Sequence, residues 1–198
     1  MPLKRDARDC PARSIIGGVD VKGLMFNVLE EVITDAYGPE AWDSLLCMSG
    51  AEGAYSSLGT YSDNEFHAIA EATATLTGQT ASQVLQAFGQ SALPIMVRRF
   101  PTFMEGVSDT RTFLLSLNSA IHPEIRKIFA GAACPHFKYA IGDDVVQITY
   151  YSRRRFCDIA QGLARGTLAH FGEAGEVTHP ECLHEGAEAC RLDVRWAA

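Results

Sequence analysis

Apolar residues return at spacings of three and four through most of the chain up to residue 130, and the pattern changes to alternation after Pro135. In VKGLMFNVLEEVITDAYG, Leu24, Val28, Val32 and Ile33 share one helical face, and the run stops at Gly38-Pro39. PEAWDSLLCM, SDNEFHAIAEATATLTG and TASQVLQAFGQSALPIMVRRF predict three further helices. Ser62 or Asp63 is the expected N-cap of the second, and Pro94 should kink or end the third. Residues 108 to 117 predict another short helix. Past Pro135, HFKYAI and VVQITYY have period two and are joined by Gly142-Asp143-Asp144, which predicts a hairpin. Phe156, Ala160, Leu163, Ala164, Thr167, Leu168 and Phe171 mark one face of a long helix. EVTHPEC and CRLDVRW then predict two strands around LHEGAEA. The expected class is α+β: an N-terminal helical subdomain, then a C-terminal antiparallel sheet with one long helix. Such a layout favours a ligand between the two parts.

Residues 1 to 20 mix charges with Pro, Gly and Ser without apolar period, so they are expected to be a disordered extension of an ordered domain covering 21 to 198. With 198 residues, 47% hydrophobic and 21% charged, that domain can bury a core of its own. A formal net charge of -7 excludes a broad electrostatic footprint for nucleic acid or anionic membrane. No apolar run has the length of a membrane span, and the first residues lack the apolar middle of a secretory signal, so a cytoplasmic chain is expected. Six cysteines are too few for a disulfide scaffold, which leaves thiols or metal ligands in a reducing compartment.

Against that acidic background, Arg153, Arg154 and Arg155 stand at the start of the long helix. Positive charge is unfavourable at a helix N-terminus, so the cluster points to a discrete anion. In TYYSRRR, a chain that stayed extended would point Tyr150, Ser152 and Arg154 to one side, a phenol, a hydroxyl and a guanidinium suited to carboxylates or phosphate. The same residues also fit a solvated basic helix start beside a core tyrosine. His122 lies beside the apolar stripe of Leu114, Leu117, Ile121, Ile125, Ile128 and Phe129, and Pro123 suits the first position of a helix that His122 would cap. Such a histidine is ordinarily a core residue.

Cys157, His179, Cys182 and Cys190 offer three thiols and an imidazole, a set suited to tetrahedral zinc, with His184 as a competing ligand and buried unligated cysteines as the plain alternative. No phosphate loop, G-x-S-x-G, H-E-x-x-H or C-x-x-C-H is present, and no carboxylate pair forms an acid/base constellation.

Together these segments resemble the heme nitric oxide/oxygen binding (H-NOX) family, which includes bacterial gas sensors and the heme domain of soluble guanylate cyclase. The resemblance covers residues 21 to 196 and is carried most specifically by Tyr150-x-Ser152-x-Arg154 with His122 upstream. It implies heme b between the two subdomains, His122 as iron ligand, and Tyr150, Ser152 and Arg154 on the propionates. It also implies that Pro135 packs against the porphyrin and that Leu29, Ala92, Leu93, Met96 and Ile159 complete the pocket. Ile159 falls where oxygen-holding members carry a tyrosine. The distal side then lacks a hydrogen-bond donor, and nitric oxide and CO are the expected ligands. In a subset of members the C-terminal cysteines and histidine resemble a zinc site, matched here by Cys157, His179, Cys182 and Cys190. The cyclase catalytic domain is absent, which implies a non-enzymatic sensor acting through a partner protein, such as a histidine kinase or a cyclic-di-nucleotide enzyme. The alternative is a zinc-thiolate redox sensor on the same fold with heme secondary. Residues 1 to 20 have no counterpart in the family pattern.

Overall fold

The computed structural model describes residues 18 to 197; the extension expected over residues 1 to 20 lies, for 1 to 17, outside the described residues. The chain divides into two compact units, with the boundary between Val84 and Leu85.

The first unit opens on a short ribbon, β1 (Asp20–Lys22) paired antiparallel with β2 (Thr60–Ser62), placing Val21 opposite Tyr61. Val21 is therefore a buried strand residue, and α1 (Gly23–Tyr37) begins two residues into the stretch that opens at Val21, just ahead of the first periodic residue, Leu24. After α1 come α2 (Pro39–Ser49), with Pro39 in its first turn, and α3 (Asp63–Thr77). Ser62 caps α3, its hydroxyl accepting from the Asn64 N–H at 3.2 Å. The centre of this unit is aromatic: Phe26 stacks on Tyr55 at 4.1 Å and meets Phe66 edge-on at 5.3 Å. Glu65 is buried there because its carboxylate accepts from the Tyr55 hydroxyl and the Glu52 N–H, each at 2.6 Å. Leu29 belongs to the buried face of α1.

A long helix, α4 (Ala81–Arg99), leads into the second unit. It runs through Pro94, where sequence alone predicts a kink or an end. Leu93 and Ile95 on either side are both buried, and packing on the two sides of the helix that they occupy holds it together across the missing hydrogen bond. The second unit continues with α5 (Thr110–Ser116), capped by the Asp109 carboxylate on the Thr112 N–H at 2.7 Å. A π-helical turn (Leu117–Ile121) and α6 (His122–Ile128) follow without a break. The sheet order is β3 (His136–Ile141), β4 (Val145–Tyr151), β6 (Cys190–Trp196), β5 (Gly175–Glu181), antiparallel throughout. Its inner face, with Phe137, Val146, Ile148, Tyr150, Leu192 and Val194, packs on α5 and on α7 (Cys157–Phe171).

The α7 helix is buried on two sides, whereas its apolar period marks one. Leu168 and Ala164 join the sheet core. On the other side Gly162 and Gly166, four residues apart, let α7 approach α4 backbone to backbone. A Cβ at Gly162 would collide with the Gln86 carbonyl, and a Cβ at Gly89 with the Ile159 carbonyl. The crossing is fastened at its rim by Arg165 donating to the Gln86 side chain at 2.7 Å and Gln86 donating to Asp158 at 3.1 Å. Gly162→Ala should lower unfolding stability by about 1–3 kcal/mol, since neither backbone can retreat. Urea titration of mutant and wild type checks this; an unchanged midpoint would mean that the two helices separate freely.

Candidate functional site

His122 is carried by a helical run that does not stop for it. Pro123 has no N–H to give and should interrupt the ladder, and a separate helix capped by His122 is what the sequence predicts. Instead the preceding turn widens. The His122 N–H bonds the Leu117 carbonyl five residues back, and His122 itself has helical dihedrals, φ -65° and ψ -36°. The turn is fixed laterally by Asn118, which exchanges two hydrogen bonds with the backbone of Phe137 on β3.

The imidazole that results is 8% exposed, lies 5.7 Å from the Phe137 ring, and has an Nδ1 with no hydrogen-bond partner among the described residues. Burial pushes its pKa down to about 4; the Arg126 charge adds to the effect and a hydrogen bond with the Pro135 backbone opposes it. At neutral pH it is an uncharged ring with a free lone pair, the form that ligates metals.

Residues 152 to 156 turn the chain between β4 and α7, so the Tyr-x-Ser-x-Arg motif does not continue extended past Tyr151. The strand ends at Tyr151, and Arg155, with φ 55°, reverses the chain into α7. A polar chain still links the three motif residues. Tyr150, 2% exposed, accepts the Phe156 N–H on its hydroxyl at 3.1 Å and hydrogen-bonds the Ser152 side chain, and Ser152 Oγ accepts from the Arg154 N–H at 3.3 Å. Burial drives the Tyr150 phenol up to about 12, so it stays protonated. Arg154 donates from its guanidinium to the Ala133 carbonyl, in the loop that leads through Cys134 to Pro135, and its charge is felt at His122. His122, Pro135, Phe137, Tyr150 and Arg154 therefore form one contiguous constellation. Leu93 lies in the same core, Ala92 and Ile159 are buried on the facing helices α4 and α7, and Met96 is half-buried.

The start of α7 also carries a second cluster. Donor atoms of Cys157, His179, Cys182 and Cys190 all lie within 4.8 Å of one another, with Cys157 and Cys182 sulfurs at 3.9 Å. Three parts of the chain converge: the first turn of α7, the end of β5 with its register slip at His179 and the adjoining Cys182, and the first residue of β6. Burial, then the neighbouring Cys190 thiol, raises the Cys157 pKa; burial also raises Cys190 and lowers His179. His179 Nε2 is buried with no hydrogen-bond partner among the described residues. His184 is placed otherwise: it is exposed, hydrogen-bonds the Arg155 carbonyl at 2.9 Å, and groups with Cys157 and Asp158.

Two functional features carry little sequence signal. Asn118 is invisible because its partners are backbone atoms 19 residues away. Gly162 and Gly166 escape an apolar-period count, although a small-x-x-x-small spacing is present in GLARG.

A family model described as Haem-NO-binding matches residues 22–179. Among solved structures, the chain is similar to an H-NOX protein from S. oneidensis in the Fe(II)NO ligation state, with 27% identity and a TM-score of 0.84, covering 90% of this chain and 100% of that one. It is also similar to a ferrous unliganded H-NOX protein from K. algicida, at 23% identity and TM-score 0.80 over 90% and 97% of the two chains. An oxygen-binding H-NOX domain related to soluble guanylate cyclases gives 21% identity and TM-score 0.75 over 90% and 96%. The last two identities speak to fold alone.

Because the folded pKa of His122 lies below that of a free histidine, the unfolded chain takes up a proton between about pH 6.5 and 4 that the folded chain refuses. Cofactor-free protein should accordingly lose stability as pH falls through that window. His122→Ala should remove one proton's share of the slope, up to about 1.4 kcal/mol per pH unit. Denaturant unfolding at pH 7, 6, 5 and 4 measures it, and parallel slopes for the two proteins would contradict a buried neutral imidazole.

Proposed function

The chain belongs to the Haem-NO-binding family, whose H-NOX members are heme-based gas sensors, and on that premise we propose that it is a non-enzymatic heme sensor of nitric oxide that signals to a partner protein. The observation that carries the reading is the buried, uncharged His122 imidazole with an unbonded ring nitrogen. An uncharged imidazole has a lone pair to give, and ligation of an iron would use it. The residues fit the group.

Heme, when bound, would supply a ferrous iron able to bind diatomic gases, and His122 would hold it. The rest is done by the chain. His122 donates its lone pair and, through the π-helical turn and Asn118, feels the position of β3. Arg154, with Tyr150 and Ser152 behind it, holds the two propionate carboxylates, exchanging the Ala133 carbonyl for a charged partner. Pro135 packs its ring against the macrocycle. Ala92, Leu93, Met96 and Ile159 carry no side-chain hydrogen-bond donor, which would favour nitric oxide and CO over oxygen, whose bound form needs a donor. Displacement of His122 relative to the sheet is the change that a partner reads.

The test is spectroscopic. Ferrous protein should show a Soret band that shifts with nitric oxide and with CO and stays put in air-equilibrated buffer. His122→Ala should lose the band, and added imidazole should restore it by supplying the missing nitrogen. Unaltered iron ligation in the mutant would remove His122 from the site. An oxygen complex lasting minutes would disprove the donor-free pocket.

A second reading is favoured by the convergence of Cys157, His179, Cys182 and Cys190 within 4.8 Å. Three thiols and an imidazole match a closed tetrahedral zinc site, and the unbonded His179 nitrogen fits it. The same cluster supports the alternative of a zinc-thiolate redox sensor in which heme is secondary: oxidation of the thiols would release the ion and loosen the joint between α7 and the β5–β6 hairpin. Purified protein should carry about one zinc per chain, and Cys182→Ser should lose it together with several degrees of melting temperature. Metal-free wild type with full stability would end both the zinc site and the redox alternative.

A further inference from the structure

β3 is the outer strand of its sheet, and at Phe137 its outward backbone groups are taken by no strand. One side chain serves both. Asn118 Nδ2 donates to the Phe137 carbonyl at 2.6 Å, and the Phe137 N–H donates to Asn118 Oδ1 at 3.2 Å. A carboxamide carries the donor and the acceptor this requires in a single plane. Asn118 lies in the widened turn, and His122 follows four residues later, so the two side chains leave the helical run on the same side. Phe137, the residue Asn118 grips, also has its ring against the imidazole at 5.7 Å and against Tyr150 at 5.8 Å.

From this geometry we propose that Asn118 is a positioning residue for His122: its amide fixes the rotation of the ligand-bearing turn about its own axis and its distance from the sheet. The inference rests on the reading of His122 as the iron ligand, and Asn118 would act on the cofactor only through that residue. The apolar neighbours in the turn cannot do this, because Leu117 and Ile121 pack without directional preference. General attachment of the helix to the strand is already provided one turn earlier, where the Tyr139 hydroxyl donates to the Leu114 carbonyl at 2.6 Å. Asn118 adds direction at the point where the imidazole is aimed. It also makes any movement of His122 a movement of the strand that leads out of the Pro135 loop.

The presence of that second attachment supplies the control. Ferrous, heme-loaded wild type, Asn118→Ala, Asn118→Gln and Tyr139→Phe are compared by the iron–histidine stretching band in resonance Raman, by the rate of heme loss to a scavenger, and by hydrogen exchange at the Phe137 amide. Asn118→Ala should shift the stretch, speed heme loss roughly tenfold, as two lost hydrogen bonds allow, and deprotect the Phe137 amide. Asn118→Gln keeps the amide but displaces it by a methylene, and should fall between. Tyr139→Phe should leave the stretch where it is. A stretch unmoved in Asn118→Ala, or moved equally by Tyr139→Phe, overturns the positioning role. Should Asn118→Ala not fold, a stretch in Asn118→Gln identical to wild type overturns it. Wild type that takes up no heme overturns the parent reading and this one together, whereas wild type with normal uptake and an unaffected Asn118 variant overturns this one alone.

Discussion

The hydrogen bond from the Phe156 N–H to the Tyr150 hydroxyl is the joint on which the second unit turns. It spans the passage from β4 to α7 and is made in the core, where the phenol is 2% exposed and stays protonated. By closing that turn it directs Arg154 back to the loop before Pro135, and it sets Cys157 in the first turn of α7 facing Cys182 and Cys190. The candidate anion clamp and the candidate thiol cluster are thus the two sides of one corner. Arg154 and Cys157 are three residues apart along it.

Both candidate constellations share an electrostatic logic. Burial disfavours charge, so it lowers the imidazoles of His122 and His179 and raises the thiols of Cys157 and Cys190. Each ring presents a buried nitrogen with no hydrogen bond among the described residues. Such groups cost stability in a bare protein, and a cation that accepts their lone pairs converts the cost into binding affinity. The same reasoning separates His184, which is exposed and satisfied by the Arg155 carbonyl, from the four-residue cluster.

Rigidity is unevenly distributed around His122. The α4–α7 crossing is locked by glycines whose replacement brings backbone into backbone. The run from Thr110 to Ile128 is held to β3 by a few polar bonds from Asn118 and Tyr139, and it contains a π-helical turn, an element with weaker internal hydrogen bonding. In the proposed sensor, this less tightly held run is the part that would respond to a ligand.

Local chemistry determined much of this in the sequence alone. Period 3.6 located the helices, period 2 located β3 and β4, and Ser62 stood among the expected caps of α3, because each rests on neighbours within one or two turns of chain; His122 and the Tyr150–Arg154 motif were set apart from ordinary core and surface residues by the family resemblance, and the C-terminal cysteines by residue type. Tertiary structure decided the rest. Val21 became a strand residue because Tyr61, forty residues on, offered it a ladder. Pro94 stayed inside α4 because both of its neighbours are buried. Ser152 and Arg154 left the strand direction because a core phenol captured the Phe156 N–H. His122 remained in a continuous helix because the turn before it could widen and be pinned to Phe137. In each case the deciding partner is distant in sequence or is a backbone atom, and neither leaves a trace in the order of side chains.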